Sequence, residues 1–209
     1  MGKSCCEAKA SELEKLQSRQ RGILLWVLGI NAIMFLIELT AGIIGHSSAL
    51  TSDSLDMFGD ALVYGFSLYA VAKGPRWRAG AGLLKGWIMG IFGVAAIGTV
   101  VYRLISNVPP DSETMGAIGV LALVANTTCL VLLYRHKQDD INMRSTWLCS
   151  RNDVIANLTV LVAAAMVYFT GLALPDAAVG LAIAALFLHS AVQVIRESRI
   201  ELVAPKIQA

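Results

Sequence analysis

Three aspartates lie close together in one long apolar stretch of the chain. Asp53, Asp56 and Asp60 occupy positions i, i+3 and i+7, which share one stripe of an α-helix at about 100° per residue. An ionised carboxylate inside membrane hydrocarbon costs at least about 2.5 kcal/mol, so acids in such a stretch indicate a functional site. Two like charges one turn apart repel each other unless a cation or a proton compensates them, and a divalent metal is the simplest compensator. The alternative is that the three carboxyl groups are protonated or paired and only pack the helix.

A second pair of candidate ligands repeats this spacing later in the chain. Cys149 and Asp153 stand at i and i+4, as Asp56 and Asp60 do, and each pair directly follows a leucine. Two helices that each contribute such a pair would supply a closed tetrahedral set of three oxygens and one sulfur, which zinc accepts. Because magnesium and calcium prefer all-oxygen sites with more ligands, the thiolate favours zinc or cadmium. The predicted metal ligands are Asp56, Asp60, Cys149 and Asp153, with Asp53 as a secondary candidate.

The cysteines allow more than one interpretation. Cys149 could instead be a small buried hydrophobic residue, and this is the interpretation we prefer for Cys129. Cys5 and Cys6 are adjacent, which does not favour a disulfide framework. They could capture soft metal ions for the membrane site, or they could be incidental exposed thiols. Arg151 lies about 200° around the helix from Cys149, so we expect it to pair elsewhere or to extend towards the membrane surface.

Composition identifies the class of protein. The chain has 209 residues, of which 56% are hydrophobic and 15% charged, and its mean hydropathy of +0.64 is typical of a membrane protein. A membrane crossing needs about 20 mostly apolar residues, so the length allows six crossings and no sizeable soluble domain. A net charge of +2 is too balanced to suggest a nucleic-acid partner.

Apolar runs separated by charged or turn-forming residues predict an all-α integral membrane protein with six transmembrane helices. The predicted domains are a cytoplasmic N-terminal arm (1–21), a six-helix membrane domain (22–196) and a short cytoplasmic tail (197–209). The predicted spans are 22–44, 48–72, 79–105, 115–134, 145–170 and 174–195.

The basic residues predict the orientation. Of the 17 Lys and Arg residues, 15 fall in the terminal segments or in the regions between the second and third and between the fourth and fifth spans. The exceptions are Arg103 and Arg151. Because Lys and Arg resist translocation, both termini are expected in the cytoplasm. Residues 7–21 are predicted to form a short charged helix at the cytoplasmic face.

Three glycines of the third predicted span and two asparagines are given no role in metal binding. Gly82, Gly86 and Gly90 recur every four residues, which predicts a packing or dimer face, and we expect a homodimer through transmembrane helices. Asn126 and Asn157 head glycosylation sequons inside predicted spans, where a glycan cannot be accommodated, so they are disregarded as sequons.

The chain resembles the cation diffusion facilitators, which are proton-coupled exporters of divalent metals. The likeness covers roughly residues 22–196 and implies a transport domain that works by alternating access around a midplane site. It also implies that metal ions and protons are substrates, with no prosthetic group and no enzymatic reaction. The residues that carry it are Asn31 and Glu38, Ser48-Ala49-Leu50 with the three aspartates, Cys149 with Asp153, and Pro175-Asp176.

The chain departs from that family in two ways. Cys149 stands where zinc transporters commonly have histidine, which shifts the expected preference towards softer ions such as cadmium or mercury. Only Glu197 to Ala209 follow the sixth span, so we expect the usual C-terminal cytoplasmic domain to be absent. A metal-binding or sensor subunit that does not transport remains an alternative, and a bacterial inner membrane is the expected location.

Overall fold

A computed structural model describes residues 5–70, 75–106, 108–137 and 141–203 of the chain. Within these ranges the side chains of 5–20, 63–64, 66–70, 75–79, 81–82, 85, 141–146, 148–149 and 201 are not described. The described residues form six helices and no strand, which confirms the predicted all-α class. The helices are α1 (Cys5–Ile44), α2 (Ser48–Ala70), α3 (Pro75–Ser106), α4 (Ser112–Tyr134), α5 (Ile141–Thr170) and α6 (Leu174–Val203).

The first helix differs from the prediction. A separate charged helix was expected over 7–21, but α1 continues unbroken from Cys5 to Ile44. Residues 5–21 contain neither glycine nor proline, so nothing in the local sequence interrupts the helix. The charged arm therefore extends the first apolar helix along its own axis.

Among the described residues, five helical segments are long and apolar enough to cross a membrane by length and composition. They are Arg21–Ile44, Gly86–Ser106, Ser112–Tyr134, Ser150–Thr170 and Leu174–Ile200. Large apolar side chains such as Trp26, Ile105 and Phe169 point away from the protein, the last of them 83% exposed. Such an exterior suits lipid, and the chain is an integral membrane protein.

Helix α2 occupies the centre of the bundle. It packs against α1, α3, α5 and α6, while α3 packs extensively on α6 and α4 on α5. Its contact with α5 is short, and α1 also touches α4. The helix that carries the three aspartates is thus surrounded by four others, so its carboxyl groups face protein.

Two glycines let neighbouring backbones approach α2 closely. A Cβ atom on Gly42 of α1 would lie 2.7 Å from Thr51 Oγ1, and one on Gly180 of α6 would lie 2.7 Å from the carbonyl carbon of Ser48. Only glycine leaves room for these contacts. Both contacts lie at the end of the bundle that holds the α1–α2, α3–α4 and α5–α6 connections, which we call the α1–α2 end.

The glycines of α3 also pack within the chain. A Cβ on Gly86 would meet Ile195 Cγ1 at 2.5 Å, so this glycine forms part of the α3–α6 interface. Gly90 has no such neighbour within 4 Å, and the side-chain surroundings of Gly82 lie outside the described residues. The packing prediction therefore holds for Gly86, with the partner being α6 of the same chain.

The beginning of α2 is capped by a residue from the far end of the sequence. Buried Asp176 of α6 accepts hydrogen bonds from the backbone N–H groups of Ser48 (2.7 Å) and Ala49 (3.0 Å) and from Ser47 Oγ (2.6 Å). Ser47 Oγ in turn accepts from the N–H of Leu50 at 3.1 Å. All three N–H groups of the first turn are thus satisfied, and the carboxylate lies at the positive end of the helix dipole.

Two further contacts close the α1–α2 end. Arg103 of α3 donates to the carbonyl oxygen of Gly42 at 3.0 Å and to Thr51 Oγ1 at 3.2 Å. The N–H of Asp111, before α4, donates to the carbonyl oxygen of Gly45 at 2.8 Å. Polar contacts therefore connect α1, α2, α3 and α6 and the start of α4 at one end of the bundle.

Replacing the buried cap should destabilise the protein strongly. We expect Asp176→Ala to lower the free energy of unfolding by about 3 kcal/mol or more, because three buried donors lose their charged acceptor. Denaturant or thermal unfolding in detergent micelles, followed by circular dichroism, measures this loss. Asp111→Ala is the matched control, since Asp111 caps α4 at an exposed position through the Glu113 N–H at 3.1 Å. That control should cost about 1 kcal/mol, and equal losses for the two variants would contradict the buried-cap interpretation.

Candidate cation-binding site

The short contact between α2 and α5 brings two of the predicted ligands together. The carboxyl groups of Asp56 and Asp153 lie close enough to each other to form a hydrogen bond. Two carboxyl groups can form such a bond only when they share a proton, because an ionised carboxylate has no donor. The pair therefore holds either a proton or, when both groups are ionised, a cation that removes their repulsion.

Asp60 lies close to the same pair. Its charge acts on Asp153 and also on Cys129 of α4, which is fully buried. Cys129 packs with Val27 and Leu133, as expected for a small buried hydrophobic residue. Asp56, Asp60 and Asp153 thus gather at one level of the bundle, with apolar packing on the α4 side.

The predicted thiolate ligand cannot be placed as fully. Cys149 lies in α5 one turn before Asp153, but its side chain is outside the described residues. The side chains of Cys5 and Cys6, at the beginning of α1, are also outside them. Among the side chains that are described, no three His, Cys, Asp or Glu groups converge at metal-binding distance. The four-ligand set therefore stays a prediction, of which the structure shows the Asp56–Asp153 contact.

Asp53 belongs to a chain of hydrogen bonds that crosses three helices. Asn126 Nδ2 of α4 donates to Asn157 Oδ1 of α5 at 3.2 Å, and Asn157 Nδ2 donates to Asp53 Oδ2 at 2.8 Å. All three side chains are at most 2% exposed. The chain lies about one turn from the Asp56–Asp153 contact, towards the α1–α2 end, since Asn157 follows Asp153 and Asp53 precedes Asp56. The uncharged amide of Asn157 therefore holds the carboxyl group of Asp53 in one orientation.

Glu38 of α1 is a further buried acid near the aspartates of α2. It is 0% exposed, and neither carboxyl oxygen has a hydrogen-bond partner among the described residues. The charges of Asp53 and Asp56 both act on it. Burying an unpaired carboxyl group is costly, so this side chain also needs a proton or a cation.

Arg151 is not part of this arrangement. Its side chain is exposed, and the guanidinium carbon lies 5.9 Å from the centre of the Trp147 ring on the same helix. This cation–π contact, about one turn away on α5, provides the separate partner that the helical wheel predicted.

Sequence reasoning missed the polar neighbours of the aspartates. Asn157 stands one turn after Asp153, and Asn126 is a lone amide in an apolar helix, so both could have been found as buried polar groups in a span. Asp176 was given no structural role at the beginning of the sixth predicted span, but it is buried against α2. No local pattern indicates that contact, because the two segments are more than a hundred residues apart.

Comparison with known proteins agrees with the helical membrane fold. A family model described as the cation efflux transmembrane domain matches residues 24–203. The zinc transporter ZitB of Escherichia coli (strain K12) is 28% identical over 193 residues, which are 86% of this chain and 61% of ZitB. The metal cation efflux system protein CzcD of Cupriavidus metallidurans is 26% identical over 170 residues, 75% of this chain and 53% of CzcD. The vacuolar zinc transporter ZRC1 of Saccharomyces cerevisiae is 26% identical over 133 residues, which are 57% of this chain and 30% of ZRC1.

These relatives are longer than the part that this chain matches. The chain spans 61% of ZitB and 53% of CzcD. The family model, by contrast, matches a continuous segment that contains α2 to α6 and about half of α1. This match shows that the chain, with its aspartates on α2 and their contact with α5, belongs to the cation diffusion facilitator family.

Proposed function

We propose that the protein is a secondary transporter that exports divalent metal cations from the cytoplasm in exchange for protons. The transport site would consist of Asp56, Asp60, Cys149 and Asp153, with Zn²⁺ or Cd²⁺ as the main substrate and Hg²⁺ as a further candidate. The observation that carries the proposal is the close approach of the Asp56 and Asp153 carboxyl groups, in a chain of the cation diffusion facilitator family.

The closeness of Asp56 and Asp153 supports the coupling of metal to protons. Carboxylates and a thiolate must lose their protons before they can hold a metal ion. Two carboxyl groups this close would share a proton when no cation is bound, and the same oxygens would bind a metal once that proton has left. Metal binding and protonation therefore exclude each other at this pair, which is the basis of antiport.

The gradient of burial supports access from one side at a time. Asp56, Asp60 and Asp153 are partly exposed, whereas Asp53 and Glu38, nearer the α1–α2 end, are buried. The α1–α2 end is also the closed one, held by Asp176 and Arg103. In the proposed topology of six spans with both termini in the cytoplasm, the α1–α2 end would face the outside. The site would then be open towards the cytoplasm and closed towards the outside. Transport would then require the α1–α2 end to open.

The relatives support a bacterial inner membrane as the location. ZitB of Escherichia coli and CzcD of Cupriavidus metallidurans are both bacterial proteins with metal-transport names. We further propose that two copies associate through their transmembrane helices. The exposed apolar face of the bundle is available for such a contact as well as for lipid.

Removal of a single carboxyl ligand should stop transport. In proteoliposomes with an imposed pH gradient, we expect Asp60→Ala and Asp153→Ala each to reduce the rate of Zn²⁺ or Cd²⁺ uptake at least about tenfold, because the ion loses a charged ligand. A metal-sensitive dye trapped in the lumen measures uptake. Uptake equal to that of the parent protein would refute the proposed site.

Glu197→Gln is the control for these variants, since Glu197 is an exposed carboxyl group far along α6. It should transport at the parental rate. If the parent protein binds metal but produces no flux in this assay, export is refuted and the chain is a metal-binding subunit.

The sulfur of Cys149 should determine the preference among metals. Across Zn²⁺, Cd²⁺, Hg²⁺, Co²⁺ and Mn²⁺ in inverted vesicles, we expect Cys149→His to shift relative uptake from Cd²⁺ towards Zn²⁺, because imidazole is a harder ligand than thiolate. Cys129→Ala removes a thiol that packs among apolar side chains and should leave the preference unchanged. An unchanged order of metals in Cys149→His would place its sulfur away from the ion.

The N-terminal cysteines would capture soft ions before they reach the membrane site. We expect the double variant Cys5→Ser with Cys6→Ser to keep the maximal transport rate but to need a higher Cd²⁺ concentration for half-maximal uptake, because the local supply of bound ion is lost. Uptake curves in inverted vesicles measure both quantities. Identical curves for the variant and the parent would exclude the capture role.

A further inference from the structure

Two buried acids are not used by the transport site described above. Glu38 of α1 is 0% exposed and Asp53 of α2 is 2% exposed. Asp53 receives a hydrogen bond from the amide of Asn157, whereas both oxygens of Glu38 lack a partner among the described residues. One acid is thus held in place by a neutral group, and the other is left without a donor.

The packing of α1 on α2 places these two acids at the same level. Gly42 touches Thr51, and Glu38 lies one turn back from Gly42 on the same face of α1. The two helices run in opposite directions, so one turn back on α1 corresponds to a few residues further along α2, where Asp53 lies. The effect of the Asp53 charge on Glu38 agrees with this placement.

Arg103 of α3 is a basic side chain at this end of the bundle, but its hydrogen bonds go to other groups. Arg103 donates to Gly42 and Thr51, and its charge is attracted by Asp176. It makes no hydrogen bond to Glu38, whose oxygens have no described donor. The positive charge that two buried carboxyl groups require must therefore come from outside the described side chains.

We propose that Glu38 and Asp53 form a second binding site for the transported divalent cation, about one helical turn beyond Asp56 towards the α1–α2 end. The proposal rests on metal export as the function of the chain. The site offers carboxylate oxygens and no sulfur, and it is closer to the end that must open for release.

The difference in ligands gives the second site a role. A thiolate holds soft or borderline ions more tightly than carboxylates do. An ion that moves from the Cys149-containing site to Glu38 and Asp53 passes to a weaker site for Zn²⁺ or Cd²⁺, from which it can leave. Glu38 is thereby a ligand on the exit path.

Counting bound metal tests this site without requiring transport. The purified protein in detergent micelles near neutral pH is dialysed against Zn²⁺, and bound zinc is counted per chain. The double variant Asp56→Asn with Asp60→Asn, which disables the transport site, should retain one zinc ion that is lost when Glu38→Gln is added. Glu197→Gln, added to the same double variant, should leave that ion bound. An unchanged count after Glu38→Gln would overturn the proposal and assign a proton to the pair.

A milder variant keeps the test valid if Glu38→Gln does not fold, as judged by size-exclusion chromatography. Glu38→Asp retains the charge but shortens the side chain, so it should keep the second zinc ion with an affinity at least about tenfold lower. Unchanged affinity would overturn the proposal. Failure of export has a different signature, because the parent protein would then bind two zinc ions at the membrane sites and show no flux in proteoliposomes.

Discussion

The cost of burying carboxyl groups governs this structure. Helix α2 carries Asp53, Asp56 and Asp60 into the centre of a membrane protein, where each charge must be shared, hydrogen-bonded or compensated. The other helices meet that demand in different ways: α5 places Asp153 beside Asp56, and Asn157 of α5 donates to Asp53 while accepting a hydrogen bond from Asn126 of α4. Helix α2 can hold these acids because four other helices pack around it.

The fold also separates a closed end from a more accessible one. At the α1–α2 end, Asp176 satisfies the first turn of α2 and Arg103 joins α1 to α2. These bonds can exist in one arrangement of the helices and must be exchanged for others if that end opens. Because they connect helices rather than lie within one, they couple movement of α3 and α6 to the position of α2. In a transporter, such contacts are where two conformations would differ.

Local properties of the chain predicted much of this. Hydropathy and turn residues gave the helix class and most boundaries to within a few residues, as the observed α2 (Ser48–Ala70) and α4 (Ser112–Tyr134) show. The helical period put Asp56 and Asp60 on one face, and the repeated spacing at Cys149 and Asp153 pointed to α5 as the partner. The continuous course of α1 was missed because charge was interpreted as a boundary, although a charged segment without glycine or proline can continue a helix.

Sequence by itself determined which residues carry chemistry and on which helices they lie, since residue type, hydropathy and helical period are local properties. Only the tertiary structure decided how those residues are combined. The rotation and register of packed helices set Asp153 against Asp56, placed Asn157 on Asp53 and brought Asp176 to the start of α2. They also left Glu38 without a donor among the described side chains. Each of these contacts joins segments distant in the chain, and its energy depends on the exclusion of water by many neighbours at once. No pattern confined to one helix contains that information.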